Sequence, residues 1–340
     1  MKAIYLTKYG DADKAFETRQ VEKPRAQEDE LIIQVMSFGL NFADVVARRG
    51  MYPEAPKNPC VLGYDVGGYV HEVGSGVEGF VKGDKVVALT RFGGYSEFAV
   101  ARKEAVALIP SGYSFDLSVA LATQACTAYF CAIESVNLHP GDIVLIQAAA
   151  GGVGSMLVQL CKHKGCYVIG TSSGSKHYFL EKLGVDLCID YTKDDFAKVI
   201  VEKLGPKKLD VVFDSIGGKT FSKAMKQLAP GGKMVNFGAA AQIHGSKTNM
   251  LRSLGVVLGF GLFSPLSFLM NSKSLIAVNM LKIADHRPHV FNHVLKAVVR
   301  LAEEKIIVST VGKAFPAEDI VDAHYYLENR NSIGKVVVRW

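Results

Sequence analysis

The stretch Asp142-Ile-Val-Leu-Ile-Gln-Ala-Ala-Ala-Gly-Gly-Val-Gly154 constrains this chain more than any other. Ile143–Ile146 is a short apolar run behind the turn signal Pro140-Gly141-Asp142, too short for a helix, and reads as a buried strand. Val153, Leu157, Leu160 and Cys161 then recur at helical spacing. The Gly-rich corner between them, Ala150, Gly151, Gly152 and Val153, leaves backbone N–H groups at a helix N-terminus, where the helix dipole favours an anion such as a diphosphate.

The dinucleotide fingerprint G-x-G-x-x-G is matched by Ala149, Gly151 and Gly154, with Gly152 extra and the first glycine absent. Ala149 then requires only a negative φ in the first turn. Gly151 lets backbone approach a diphosphate, and Gly154 lets helix and strand pack closely. Taken alone, the motif is a weak signal, with a tight strand-to-helix turn as its alternative.

The segments beyond this corner favour the dinucleotide. Tyr167–Thr171, Leu187–Asp190, Leu209–Asp214 and Lys233–Phe237 read as strands, alternating with helices over Lys176–Leu183, Asp194–Leu204 and Lys219–Leu228. That alternation predicts an α/β domain with a parallel, doubly wound sheet, whose ligand lies across the carboxyl ends of the strands. At the end of the second strand an NAD site would carry a carboxylate for the ribose 2′-OH. This chain has Thr171-Ser172-Ser173-Gly174-Ser175-Lys176 instead, hydroxyls and an ammonium suited to a 2′-phosphate, with Tyr191 as a further donor. The cofactor expected is NADPH, through Ser172, Ser173, Lys176 and Tyr191; the serines are also good caps for the helix near Lys176.

At 340 residues the prior is two domains, and 49% hydrophobic with 21% charged residues is ordinary for a soluble protein. A net charge of +6 without a Lys/Arg cluster calls for no nucleic acid but helps an anionic cofactor. The six cysteines form no C-x-x-C pair and sit mostly in apolar runs, as expected of reduced core thiols in a cytoplasmic protein. Met1–Thr7 is too short for a signal-peptide core and reads as a strand, as does Leu31–Ser37, with a polar connection containing Pro24 between them.

From Ser37 the sequence becomes specific: Ser37-Phe-Gly-Leu-Asn41-Phe-Ala-Asp44, Tyr52-Pro, Gly63-Tyr64-Asp65-Val-Gly67-Gly68, Val73-Gly74-Ser-Gly76, Gly83-Asp84, and later Gly170-Thr171 with Ser175-Lys176-His177 and Ile189-Asp190-Tyr191. In these motifs the chain resembles, over essentially its whole length, zinc-free medium-chain dehydrogenases/reductases of the quinone oxidoreductase type. The vesicle amine transport protein homologue branch is the nearest in detail. The resemblance implies a GroES-like, β-rich catalytic domain from residues 1–124 and 285–340 and a Rossmann domain from 125–284, with the active site in a cleft between them and a homodimer as the assembly.

Where zinc-dependent relatives carry a Cys, a Gly-His-Glu motif and a third ligand, this sequence has Asn41, Gly63-Tyr64-Asp65 and Thr123, with Cys126 offset, so no metal is expected. By the same resemblance Asn41 is the orienting amide at cofactor and substrate, Tyr52 and Tyr64 line the site as proton donors, and Asp44 fixes the loop. Thr127 meets cofactor, Ser215, Phe237 and Gly238 offer backbone at the fourth and fifth strand ends, and Arg330 or Asn331 either touches NADPH or forms an exposed turn. Met250–Met270, inside an apolar insertion over about 243–272, is either a buried lid or dimer element or a surface for membrane or a lipophilic substrate. The expected activity is metal-independent hydride transfer from NADPH to a quinone or an α,β-unsaturated carbonyl. The alternatives are an alkenal or enoyl double-bond reductase, and an NADPH-binding membrane-associated protein with little turnover.

Overall fold

The structure, a computed structural model, describes residues 1–240, 255, 258–261 and 263–340. The chain divides into two units, Met1–Cys126 with Met280–Trp340, and Thr127–Asn279. The divisions expected at 124/125 and 284/285 therefore move to 126/127 and 279/280. At the second division the edge strand Ser274–Ala277 ends, and Met280 opens the helix Met280–His286 that begins the return to the first unit.

The first unit is built on a seven-stranded sheet in the order Val311–Pro316, Lys335–Arg339, Glu30–Leu40, Asp65–Val73, Lys85–Leu89, Val106–Leu108, with Phe98–Arg102 also paired to Glu30–Leu40. Glu30–Leu40 is its spine because Leu31, Ile32, Ile33, Val35, Phe38 and Leu40 are all buried. A smaller sheet pairs Phe16–Gln20, Lys2–Leu6 and Cys60–Val61. The connection around Pro24 thus holds a helix, Ala12–Ala15, and a strand that its polar sequence hides. Phe16-Glu-Thr-Arg-Gln is an edge with no fully buried residue.

The helix Phe42–Arg48 is clamped to the helix Ile320–Glu328 by charge. Arg48 donates to Glu328 at 2.5 Å, and Arg49 donates to Glu328 at 2.6 and 2.9 Å and to Asp11 at 2.7 Å. Both guanidinium groups are nearly or wholly buried, where an ion pair is held by its geometry and losing one partner strands the other charge.

The second unit is a six-stranded, wholly parallel sheet in the order Leu187–Asp190, Tyr167–Ser172, Ile143–Ile146, Leu209–Asp214, Leu228–Asn236, Ser274–Ala277. The chain order reverses between Ile143–Ile146 and Leu209–Asp214, the switch point at which doubly wound sheets bind ligands. Its central strands Ile143–Ile146 and Leu209–Asp214 read as apolar runs because they are buried within the sheet. Leu145, Ile169, Ile189, Val212 and Met234 pack on one side with Phe196, Ile200, Phe221 and Met225 from the helices Phe196–Leu204 and Gly218–Gln227. The helix expected from Lys176 is preceded by a 3₁₀ turn, Gly174–Lys176, and runs over His177–Lys182.

The helix Gly152–His163 starts hard against the sheet, with Gly151 as its N-cap. A Cβ on Gly154 would strike the Ala148 carbonyl oxygen and lie 2.7 Å from Ala149 Cα. The tight turn is absorbed at Ala148, whose φ of 52° is left-handed, and Ala149 is left free of positive φ. Gly151 is looser, since a Cβ there would meet one atom at 3.2 Å. Gly154→Ala should therefore lower the unfolding free energy in urea by about 1–3 kcal/mol through overpacking against backbone, with Gly151→Ala costing clearly less. Equal stability of the two variants would contradict this packing.

Candidate active site

Each unit carries its own constellation. In the second, the loops at the carboxyl ends of the strands are tied to one another by side chains. Thr171 donates its hydroxyl to Gln147 Oε1 at 2.7 Å and accepts the Ala148 N–H at 3.2 Å, joining the first two strand ends at the Gly-rich corner. Asp214 accepts from Ile216 N–H at 3.0 Å and from Gly217 N–H at 3.0 Å, while Asn236 Nδ2 donates to Asp214 and to the Gly238 carbonyl. Ser215, Phe237 and Gly238 thereby lie at the same edge of the sheet as Ala150, Gly151, Gly152 and Val153. Burial pushes the Asp214 carboxyl up to about 6.

Ser172, Ser173 and Lys176 lie together at the end of Tyr167–Ser172, Ser172 buried and Lys176 half-buried. Tyr191, 40% exposed, follows the neighbouring strand. The expectation that no carboxylate stands here is corrected by the structure. Ser172 is in register with Asp190, and the Asp190 carboxylate reaches under Gly174, where a Cβ would stand 2.5 Å from Oδ2. That carboxylate is occupied: Thr192 donates its hydroxyl at 2.6 Å and its N–H at 3.0 Å, and the Gly174 N–H also donates to it. These bonds, the Thr192 hydroxyl first, hold the Asp190 carboxyl below its usual range. Asp190 thus shapes the turn at Gly174 between Ser173 and Lys176.

In the first unit the centre is Asn41, N-cap of Phe42–Arg48 and 7% exposed. Its N–H donates to Asp44 Oδ2 at 2.8 Å. Its side-chain Nδ2 donates to Asp65 Oδ2 at 2.6 Å, and its Oδ1 accepts from Lys335 Nζ at 2.9 Å and Gln124 Nε2 at 3.5 Å. Lys335 also donates to Asp65, and both are fully buried. The orienting amide expected of Asn41 is therefore itself oriented, with its carbonyl fully engaged inside the protein. Lys335 reaches it because position 39 is glycine: a Cβ there would overlap the Lys335 chain and lie 2.8 Å from Nζ.

Tyr64 is 3% exposed and Tyr52 half-buried, with ring centroids 6.4 Å apart and edge to face. Burial pushes both phenols above their ordinary range, so both are protonated donors at neutral pH. The Tyr64 hydroxyl has the Tyr52 hydroxyl as a neighbour without hydrogen-bond geometry between them. Phe92, which sequence reasoning missed, completes the aromatic wall at 5.0 Å from Tyr64, with φ of 69° in the Arg91-Phe-Gly-Gly turn. Arg91 stacks its guanidinium 4.8 Å from the Phe92 ring, pairs with Asp285 at 2.9 Å and donates to the Glu54 carbonyl at 3.4 Å, holding the Tyr52 loop.

Thr127 is buried in the helical run that opens the second unit, and Arg330 and Asn331 form the turn that ends Ile320–Glu328 in the first. Arg330 is left-handed with φ of 59°, and Asn331 is exposed. Of the apolar insertion, 243–254, 256, 257 and 262 lie outside the described residues, and with them eight of the 21 residues of Met250–Met270. In its described part, Leu258, Leu266, Leu269 and Met270 are all more than 60% exposed.

The donors around Asn41 do not suit zinc. Asn41 and Asp65 are taken up by Lys335, Tyr64 is a phenol kept neutral by burial, and burial likewise drives the Cys126 thiol far from its thiolate. Among the described residues no three His, Cys, Asp or Glu side chains converge as a metal site.

Asp44 is fully buried, and that burial pushes its carboxyl up to about 7 despite the Asn41 N–H bond. A raised folded-state value means that the native protein holds the proton more tightly than the unfolded chain. The contribution is thus complete below about pH 4 and is lost as pH rises through 7. Relative to Asp44→Asn, which carries no titrating proton, the wild type should lose about 2–4 kcal/mol of unfolding free energy from pH 4 to pH 8. Parallel pH profiles of the two proteins would contradict the assignment.

The comparisons with known proteins agree with this architecture. Residues 27–111 match the alcohol dehydrogenase GroES-like domain and residues 152–300 the zinc-binding dehydrogenase family. The synaptic vesicle membrane protein VAT-1 homolog of Danio rerio is 33% identical over 338 residues, 99% of this chain and 69% of that protein. The 2-methylene-furan-3-one reductase of Solanum lycopersicum is 36% identical over 283 residues, 78% of this chain and 71% of that one. The Escherichia coli quinone oxidoreductase complexed with NADPH superposes with a TM-score of 0.86 at 27% identity, covering 100% of both chains. With a GroES-like unit, a parallel Rossmann sheet and relatives matched along its length, the chain belongs to the medium-chain dehydrogenase/reductase family of oxidoreductases, and VAT-1 homologues are among its kin.

Proposed function

We propose that this protein is an NADPH-dependent reductase that delivers hydride, without a metal, to quinones or α,β-unsaturated carbonyls. The observation that carries the reading is the donor set of the first unit: an oriented amide and protonated phenols, with no soft or imidazole ligand set among the described residues. Such groups donate hydrogen bonds to an oxygen that gains negative charge, which suffices for an acceptor already poor in electrons. The names of two relatives, a 2-methylene-furan-3-one reductase and a quinone oxidoreductase complexed with NADPH, fall within that acceptor range.

Bound NADPH supplies the hydride. In the second unit, the N–H groups of Gly152 and Val153, with no carbonyl a turn earlier to bond, and the positive end of Gly152–His163 hold the diphosphate. Ser172, Ser173 and Lys176 hold the 2′-phosphate, and Asp214 and Asn236 fix the loops of Ser215 and Phe237–Gly238. In the first unit the Tyr52 hydroxyl, kept protonated by its burial, gives the proton that accompanies the hydride. Phe92 and Tyr64 offer aromatic faces to a planar acceptor.

A second reading is favoured by one observation, the exposed Leu258, Leu266, Leu269 and Met270. These side chains suit an NADPH-binding protein that works at a membrane surface with little turnover. Loss of nicotinamide absorbance with an ortho-quinone, a para-quinone and an alkenal tests the first reading. Turnover with NADPH far above NADH is expected, and Lys176→Ala should raise the KM for NADPH at least tenfold while leaving that for NADH within about twofold. No turnover on any acceptor, joined to sedimentation with liposomes, would move the function to the second reading.

A further inference from the structure

The Asn41 amide is held more tightly than its loop requires. Its carbonyl oxygen accepts from an ammonium and from Gln124, one Nδ2 hydrogen goes to Asp65, and no described residue accepts the other. Flipping the amide would set its NH₂ against the Lys335 ammonium and its oxygen against the Asp65 carboxylate, so only one orientation is available. The pair that enforces this is fully buried and charge-neutral. It offers the site no net positive field, unlike a divalent metal, and acts through orientation.

We propose that Lys335 is a positioning residue: its ammonium fixes the Asn41 amide so that the remaining Nδ2 hydrogen donates to the acceptor oxygen as charge develops there. By the resemblance that sets Asn41 where zinc-dependent relatives carry a Cys, Lys335 is then a resident cation beside that position, and Gly39 is the residue that admits it. The catalytic half of this assignment rests on the reductase reading above; the fixing of the amide does not.

The test compares Asn41→Ala, the neutral pair Lys335→Met with Asp65→Asn, and all three changes together. Folding is checked by thermal melts and by NADPH binding. Against a quinone and an alkenal, Asn41→Ala and the neutral pair should each lower kcat about a hundredfold with KM within about threefold, and the triple variant should fall no further. Wild-type kcat in the neutral pair, or losses that multiply in the triple variant, would overturn the proposal. Should the neutral pair fail to fold, Gly39→Ala displaces the ammonium with both charges kept, and is expected to show the same kcat loss; unchanged kcat would overturn it. Independently of turnover, selective ¹⁵N-asparagine labelling reads solvent exchange of the Asn41 side-chain amide. Slow exchange in wild type and fast exchange in the neutral pair supports the fixing even where no acceptor turns over, an outcome that sinks the reductase reading alone. Fast exchange in wild type would overturn it.

Discussion

The first unit depends on a buried pair of opposite charges. Lys335 opens the last strand, Asp65 opens the strand that sits in register with Gly39, and both are fully buried. Taking two such charges out of water costs several kcal/mol per ion, recovered only where geometry is good and the remaining bonding capacity is used. Here Asn41 uses it, accepting from one ion and donating to the other. The C-terminal strand therefore has one workable register against Glu30–Leu40, the one that lays Lys335 over the bare Cα of Gly39. A slip by one residue would leave a carboxylate and an amide buried without a cation. The chain end and the Asn41 loop, far apart in sequence, are fixed by the same interaction.

The second unit is organised by a steric constraint. Its helix Gly152–His163 must begin close enough to the sheet for its free N–H groups to stand over the strand ends, and only the hydrogen side chain of Gly154 permits this. The missing first glycine of the fingerprint is tolerated because Ala148, one residue earlier, takes the left-handed conformation. The same corner is braced by Thr171, whose hydroxyl links Gln147 to the backbone of Ala148. A short polar side chain at the second strand thus sets the mouth of the first.

Legibility in the sequence followed the range of the interactions. Ile143–Ile146 and Leu209–Asp214 were readable because burial on both faces makes a strand uniformly apolar, a local signal. Phe16–Gln20 was not, because as an edge its sequence needs only a pairing partner, Lys2–Leu6, which lies outside the segment. Lys335 before Val-Val-Val reads as the solvent end of a strand; its burial arises only from register with residues far back in the chain. Asp190 belongs to the same class. It lies well past the turn it supports, and parallel pairing with Ser172 brings it there. Asn41, Tyr52 and Tyr64 were legible through motif resemblance, whereas Phe92 and Arg91, which frame them, had only a glycine pair as signal.

These two constraints bear on chemistry together. Around Asn41 the Lys335 charge is cancelled by Asp65, so the groups there act through the direction of their hydrogen bonds more than through net charge. Protonation is arranged in the same way. Burial holds Tyr52 and Tyr64 as neutral phenols and raises the Asp44 carboxyl to about 7. Removing the metal thus shifts the demand from charge to orientation. Orientation in turn demands a rigid amide, and a rigid amide at the start of a loop requires what this fold supplies: a lysine brought from the far end of the chain and a glycine that leaves room for it.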